Sequence, residues 1–279
     1  MTRVLLTGGS GFVGGAVGPL LDRRGCTVWA PARADLAAPA DRVVERVVAF
    51  APDVVVHLAA RFLAAHGPSD IADLVRSNVE LGTVVAEAAV QSGARLVWTS
   101  TAWQHVDGRD YEPVSLYAAT KQAFADIVRY YEGVRGLQAV DLTLFDTYGP
   151  RDPRGKVVAH LLACAARGEA LQMSSGRQLI DLTYVDDVAE GIVHAALSDA
   201  PPRTAVLRSG QPITVRALVA LVAEVTGVDL AVDWGARPDR PREMVADWAV
   251  GATLAGWAPA VPLREGLARC WEQEPSRAG

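Results

Sequence analysis

Thr7-Gly8-Gly9-Ser10-Gly11-Phe12-Val13-Gly14 stands directly after the apolar run Arg3–Thr7 and opens the amphipathic stretch Phe12–Arg24, which stops at Gly25. A buried strand that turns through glycines 8, 11 and 14 into a helix is a dinucleotide-binding arrangement. The glycines allow a tight turn, close approach of backbone to a pyrophosphate, and close packing of helix on strand. The unpaired amides of the first helical turn add donors and a partial positive charge. The expected contacts are Gly8, Ser10, Gly11, Phe12, Val13 and Gly14, with Phe12 and Val13 offering backbone N–H groups.

Working outward, the first 150 residues alternate in period. Strand-like runs at Thr27–Ala30, Asp53–Leu58, Arg95–Ser100 and Ala139–Phe145 are separated by helical stretches at Ala40–Phe50, about Ser69–Ser92 and about Ser115–Arg135. Strand and helix in strict alternation need crossover connections, hence a parallel sheet covered on both faces. The expected fold is α/β, a doubly wound Rossmann-type sheet over 1–150, with 180–200 returning to it. After Gly149-Pro150 the pattern loosens, and 151–179 with 201–279 is expected to form a smaller, irregular substrate-binding region.

The composition agrees. Half of the 279 residues are apolar and 21% are charged, so a large core is available. A net charge of −5 argues against a nucleic-acid partner, and no apolar run reaches the length of a membrane span. Met1-Thr2-Arg3 leads straight into a strand, so the cytoplasm is the expected location. Cys26, Cys164 and Cys270 are too far apart for a zinc knuckle or disulfide framework, and no metal site is expected. Among 27 basic residues only Lys121 and Lys156 are lysines, and Asn78 is the single asparagine.

An acid at the end of the second strand would accept from the ribose 2′-hydroxyl of NAD, whereas an arginine there suits the 2′-phosphate of NADP. The chain reads Val28-Trp29-Ala30-Pro31-Ala32-Arg33. Arg33 therefore favours NADP(H). Asp35 in Ala34-Asp35-Leu36 keeps NAD(H) open, or reaches the adenine amine. Tyr117 and Lys121 lie four residues apart on a helix, on one face and about 6 Å apart along its axis. A cation near the phenol favours phenolate and fits tyrosine for proton transfer.

The glycine loop, the Tyr117/Lys121 pair and Ser100-Thr101 at a strand end together resemble the extended short-chain dehydrogenase/reductases, a family of nucleotide-sugar epimerases, dehydratases and ketoreductases. Further segments share the resemblance: Val56-His57-Leu58-Ala59-Ala60, Ser77-Asn78-Val79, Tyr148-Gly149-Pro150-Arg151 and Tyr184-Val185-Asp186-Asp187-Val188. It implies Thr101, Tyr117 and Lys121 as catalytic residues. Thr101 and Tyr117 would hold the reacting oxygen, a bound nicotinamide would exchange hydride, and Tyr117 would transfer the proton. Lys121 would bind the nicotinamide ribose. It also implies Leu36, Leu58, Ala59, Ala60, Asn78 and Phe145 around the cofactor, and a homodimer as in relatives. His57 reads as a packed histidine.

A dehydratase of this family carries an Asp-Glu pair after the catalytic threonine. Ala102 and Trp103 stand there instead, so dehydration is not expected, and no decarboxylase set of acids and bases is found. Thr101–His105, Leu116–Phe124, Leu144–Pro150 and Met173–Gly176 resemble the CDP-paratose and CDP-abequose synthases, which reduce a 4-keto group with NADPH. The expected substrate is a nucleotide-linked sugar, with Ser100, Trp103, His105, Thr147, Lys156, Arg177 and Arg242 around it. Ile180 replaces an arginine that many relatives use for the diphosphate, which leaves Arg151, Arg154, Lys156, Arg177 or Arg242 to meet the phosphates. A 4-epimerase holding NAD is the alternative enzyme, and a non-catalytic dinucleotide sensor the alternative class.

Overall fold

The computed structural model describes residues 1–108, 110–247 and 251–275. Arg3–Thr7 forms β1 and Phe12–Arg23 forms α1. Then come β2 (Thr27–Trp29), α2 (Arg33–Leu36), α3 (Ala40–Phe50) and β3 (Val54–His57). The long helix expected over 69–92 is α4 (Ile71–Val75) and α5 (Leu81–Ser92), joined by a π-helical stretch at Arg76–Glu80 that carries Asn78. β4 (Arg95–Thr101), α6 (Leu116–Arg135) and β5 (Ala139–Leu144) complete the alternating series. The rest comprises β6 (Asp146–Tyr148), α7 (Val157–Arg167), β7 (Leu171–Met173), β8 (Leu179–Ile180), β9 (Leu182–Tyr184), α8 (Val185–Leu197), β10 (Thr204–Leu207), β11 (Ile213–Thr214), α9 (Val215–Thr226), β12 (Val232–Trp234) and α10 (Leu263–Glu272).

Six strands form one parallel sheet in the order β2-β1-β3-β4-β5-β10. Both faces are covered, as the continuous apolar runs of β1 and β3 require. On one face Val4, Leu6 and Val56 meet Val17 and Leu21 of α1 with Val188 and Ile192 of α8. On the other, Leu5, Val55 and Trp98 meet Val85 of α5 with Phe124 and Val128 of α6. The sequence assigns 201–279 to the substrate-binding region, as a cap whose ends return to the main sheet; β10 of that segment pairs with β5 from Thr204↔Asp141 to Leu207↔Leu144. Its four residues are too short a run to announce themselves between Pro202 and Gly210.

The smaller region has its own core, in which Leu161 and Leu162 of α7 pack with Leu171, Leu218, Val222 and Leu267. Two short pairs, β7/β12 and β8/β11, stiffen it, and β6/β9 join it to the sheet. The cleft between the two regions opens at the carboxyl ends of the sheet strands, where ligands of such sheets bind.

Candidate functional site

The glycine loop is built to the limit of contact. A Cβ on Gly8, whose φ is +75°, would lie 2.5 Å from the Ala59 amide nitrogen, and one on Gly14 would lie 2.1 Å from the Gly8 carbonyl oxygen. No side chain caps the first turn of α1, so the amides of Phe12 and Val13 are left for an external acceptor. Ser10 and Gly11 are exposed beside them, and Leu58, Ala59 and Ala60 follow β3 against the same loop. These residues fit a dinucleotide pyrophosphate.

At the adenosine end, Arg33 is exposed as the first residue of α2, and Leu36 closes that turn. Asp35 is committed locally: its carboxylate accepts from Arg46 Nη1 and from the Ala32 amide, each at 2.9 Å. The Arg46 bond, then that of Ala32, holds it below the ordinary carboxylate range. Arg46, whose guanidinium lies 5.5 Å from the Trp29 ring centre, is a second cation here that the sequence did not single out.

Thr101 ends β4, 8% exposed, and its Oγ1 accepts from the Trp103 amide at 3.3 Å. Gln104 ties this corner to the helix of the Tyr/Lys pair: its Oε1 accepts from the Thr101 amide at 3.0 Å, and its Nε2 donates to Gln122 Oε1 at 2.8 Å. Ser115 caps α6 by accepting from the Ala118 amide. Tyr117 and Lys121 follow within two turns. Burial pushes the Tyr117 phenol up to about 12, Arg154 favours its phenolate, and Asp146 opposes it. Burial pushes Lys121 down to about 8.

Several expected contacts take other places. Ser100 turns into the sheet and shares a 2.9 Å hydrogen bond with Thr143. His105 sits in a bridge to Glu112, away from the cleft lining. Arg177 points outward, 78% exposed and 3.7 Å from Asp239, because the turn at Gly176 packs its own backbone on Trp234. Asn78, expected at the cofactor, spends its amide on protein: Oδ1 accepts from Arg61 N at 2.7 Å, and Nδ2 donates to Arg61 O at 3.0 Å and Thr120 Oγ1 at 2.9 Å. It positions the segment after Ala60 against α6. Phe145 is 7% exposed, with the Arg208 guanidinium 4.8 Å from its ring centre. His57 is packed as expected, 2% exposed, with Nδ1 2.7 Å from Thr7 Oγ1.

A cleft of about 450 Å³ lies between the regions, and Trp103, Thr147, Lys156 and Arg242 are among the residues that line it. Phe62, Arg154, Arg237 and Arg240 line it too. Phe62 meets Trp103 and Tyr117 edge to face, at 5.5 and 5.1 Å, so the apolar end of the cleft abuts the phenol. Arg154 is fixed by Asp152 (2.7 Å to each carboxylate oxygen) and the Thr147 carbonyl, with its guanidinium 4.3 Å from the Phe12 ring centre. Sequence pointed to Arg154 as a phosphate candidate, but Arg237 and Arg240 stand in a Pro-rich segment without periodicity and gave no signal.

Residues 4–207 match the NAD dependent epimerase/dehydratase family. CDP-abequose synthase of Yersinia pseudotuberculosis is 24% identical over 84% of this chain and 88% of its own length. A putative GDP-L-fucose synthase of Oryza sativa subsp. japonica is 29% identical over 95% and 84%. Among solved structures, UDP-glucose 4-epimerase of Thermus thermophilus in complex with NAD superposes with a TM-score of 0.80 at 28% identity, covering 98% of both chains. With a family model matching residues 4–207 and a parallel sheet entered through the glycine cradle, the chain belongs to the NAD dependent epimerase/dehydratase family.

Proposed function

We propose that this protein is an NADPH-dependent ketoreductase that reduces the 4-keto group of a nucleotide-activated (CDP- or dTDP-linked) deoxysugar. The observation that carries the reading is the polarity of the cleft. Arg154, Lys156, Arg237, Arg240 and Arg242 line it together, as a diphosphate requires, while Phe62 and Trp103 form an apolar wall next to Tyr117. A sugar poor in hydroxyls suits that wall. The buried Ala102, 1% exposed, and Trp103 leave no acid beside Thr101 to expel water from the sugar. The relation to CDP-abequose synthase supports the same chemistry.

In this reading the amides of the glycine loop and Ala59 hold the cofactor pyrophosphate, Arg33 takes the 2′-phosphate, and Lys121 binds the nicotinamide ribose. Bound NADPH supplies hydride. Thr101 and Tyr117 hydrogen-bond the carbonyl oxygen, and Tyr117 donates the proton as that oxygen becomes a hydroxyl. Phe62 and Trp103 keep water from the reacting carbon.

The test follows reduced-nicotinamide absorbance with freshly generated CDP- and dTDP-4-keto-deoxysugars. Substrate-dependent oxidation that prefers NADPH is expected, and Tyr117→Phe is expected to lower turnover about 10²- to 10⁴-fold while cofactor binding persists. Full turnover in that variant would overturn the mechanism. The likeness to an NAD-bound 4-epimerase favours a second reading, a 4-epimerase that retains NAD. Co-purified NAD with no net oxidation would select it.

A further inference from the structure

Four side chains form a row across the sheet on the face covered by α5 and α6. Thr7 pairs with His57, His57 with Trp98, and Trp98 with Asp141, strand by strand. Phe124 of α6 covers the row, its ring centre 5.4 Å from that of His57 and 5.0 Å from that of Trp98. One turn earlier on α6, Lys121 enters the same layer, 3% exposed, with Nζ 5.8 Å from the Trp98 ring centre. Among the described residues no hydrogen bond reaches that ammonium.

Asp141 is a part-buried carboxylate within a sheet strand. It interrupts β5 between Val140 and Leu142, both core residues, and its Oδ1 is sealed from solvent without a hydrogen-bond partner. A carboxylate in such a strand is costly unless a charge answers it. A hydrogen bond from Ser100 answers it in part; the answering charge is Lys121, and each of the two charges favours the ionised form of the other.

We propose that Asp141 is the counter-charge of Lys121, a positioning residue that keeps the ammonium protonated beneath the cofactor site without itself touching cofactor or substrate. The proposal rests on Lys121 being the ribose contact of the reading above. Among the described residues, Trp98 of β4 lies against Lys121, His57 of β3 and Asp141 of β5 are close enough to act on its charge, and Tyr117 stands one turn earlier on its own helix. His57 carries no charge near neutrality, since burial pushes it down to about 3. Asp141 is pushed up to about 6 by burial, against the pull of Ser100, Lys121 and His105. Both partners are therefore ionised between about pH 6 and about pH 8. Removing the Asp141 charge leaves burial unopposed, and Lys121 loses its proton at lower pH.

The experiment measures NADPH and NADH dissociation constants without substrate from pH 6 to 9, for wild type, Asp141→Asn, Asp141→Ala and Lys121→Met. Wild-type affinity is expected to fall as pH rises through about 8. In both Asp141 variants the fall is expected about one pH unit lower, which is about tenfold weaker binding at pH 8 with little change at pH 6. Lys121→Met is expected to bind weakly at every pH. Asp141 variants whose profiles superimpose on wild type, or that weaken equally at all pH, overturn the proposal while leaving Lys121 in place. Wild-type-like binding by Lys121→Met overturns the ribose contact itself. Sugar turnover enters none of these measurements, so failure of the ketoreductase reading is separately visible.

Discussion

Lys156 Nζ donates to Asp146 Oδ1 at 2.8 Å, and the pair stands in the cleft wall with 17% of each side chain exposed. The same ammonium lies 4.9 Å from the Phe62 ring centre. Left alone, Asp146 would set a negative charge where a diphosphate is to bind. Lys156→Met is therefore expected to raise KM for the nucleotide sugar at least about tenfold, or about 1.4 kcal/mol. It is also expected to cost about 2 kcal/mol of stability, less than a fully buried pair because solvent reaches both partners. Lys156→Met with Asp146→Asn should recover the stability and part of the affinity. A double variant no more stable than the single one would show the two charges to be uncoupled.

In the proposed reading, Arg33 selects the cofactor. Asp35, the nearby acid that would suit a free ribose, is already held by Arg46 and the Ala32 amide, whereas Arg33 is exposed at the start of α2. Arg33→Ala is expected to lower kcat/KM for NADPH about tenfold or more and to leave NADH nearly unchanged. The loss should shrink as salt rises, since a surface ion contact is screened. Equal losses with both cofactors would remove the 2′-phosphate role.

The sheet was legible, and Thr101, Tyr117 and Lys121 could be named as candidates, because each rests on local pattern. Glycine spacing, apolar period and the four-residue step from Tyr117 to Lys121 all act within one or two elements. Asn78 was visible as an oddity, but its engagement with Arg61 and Thr120 depends on the π-helical turn, which no propensity announces. Ser100 and Thr101 differ by one residue, and only the sheet register shows that Ser100 turns toward Thr143. The cleft is the least legible part. Phe62, Arg237 and Arg240 come from irregular segments far apart in sequence, and only the folded chain brings them together.

The cradle makes a sharp paired test. An added methyl at Gly14 would meet the Gly8 carbonyl oxygen at 2.1 Å, backbone that cannot yield without opening the loop, while at Gly15 it would meet nothing within 4 Å. Gly14→Ala is expected to cost about 1–3 kcal/mol of stability and to weaken cofactor binding. Gly15→Ala, on the exposed side of α1, should gain about 0.5–1 kcal/mol and bind cofactor normally. Both follow from urea unfolding with and without NADPH. Matching behaviour of the two variants would contradict the tight packing of the loop.

His57 supplies a test of the core beneath the site. Folded, it stays neutral down to about pH 3 because burial, with Lys121 nearby, excludes the charged ring; unfolded, it takes a proton near its ordinary value of 6.5. The unfolded chain therefore binds more protons across that interval, so this group's stabilisation is lost as pH falls, at about 1.4 kcal/mol per unit below 6.5. Between pH 7 and 5 the loss is about 2 kcal/mol. Asp141 acts in the opposite direction: its carboxyl is pushed up to about 6, so the folded state keeps a proton that the unfolded state has released, and stability rises as pH falls through that value. In the wild type the two act in opposite directions, so the overall pH profile reports neither alone. His57→Gln separates them. It is expected to be less stable than wild type at pH 7, where the contact with Thr7 is disturbed, and to recover about 2 kcal/mol of that deficit by pH 5 in urea unfolding. A deficit that stays constant from pH 7 to 5 would mean that the folded protein admits the imidazolium. The neutral His57 of the layer beneath Lys121 would then be wrong.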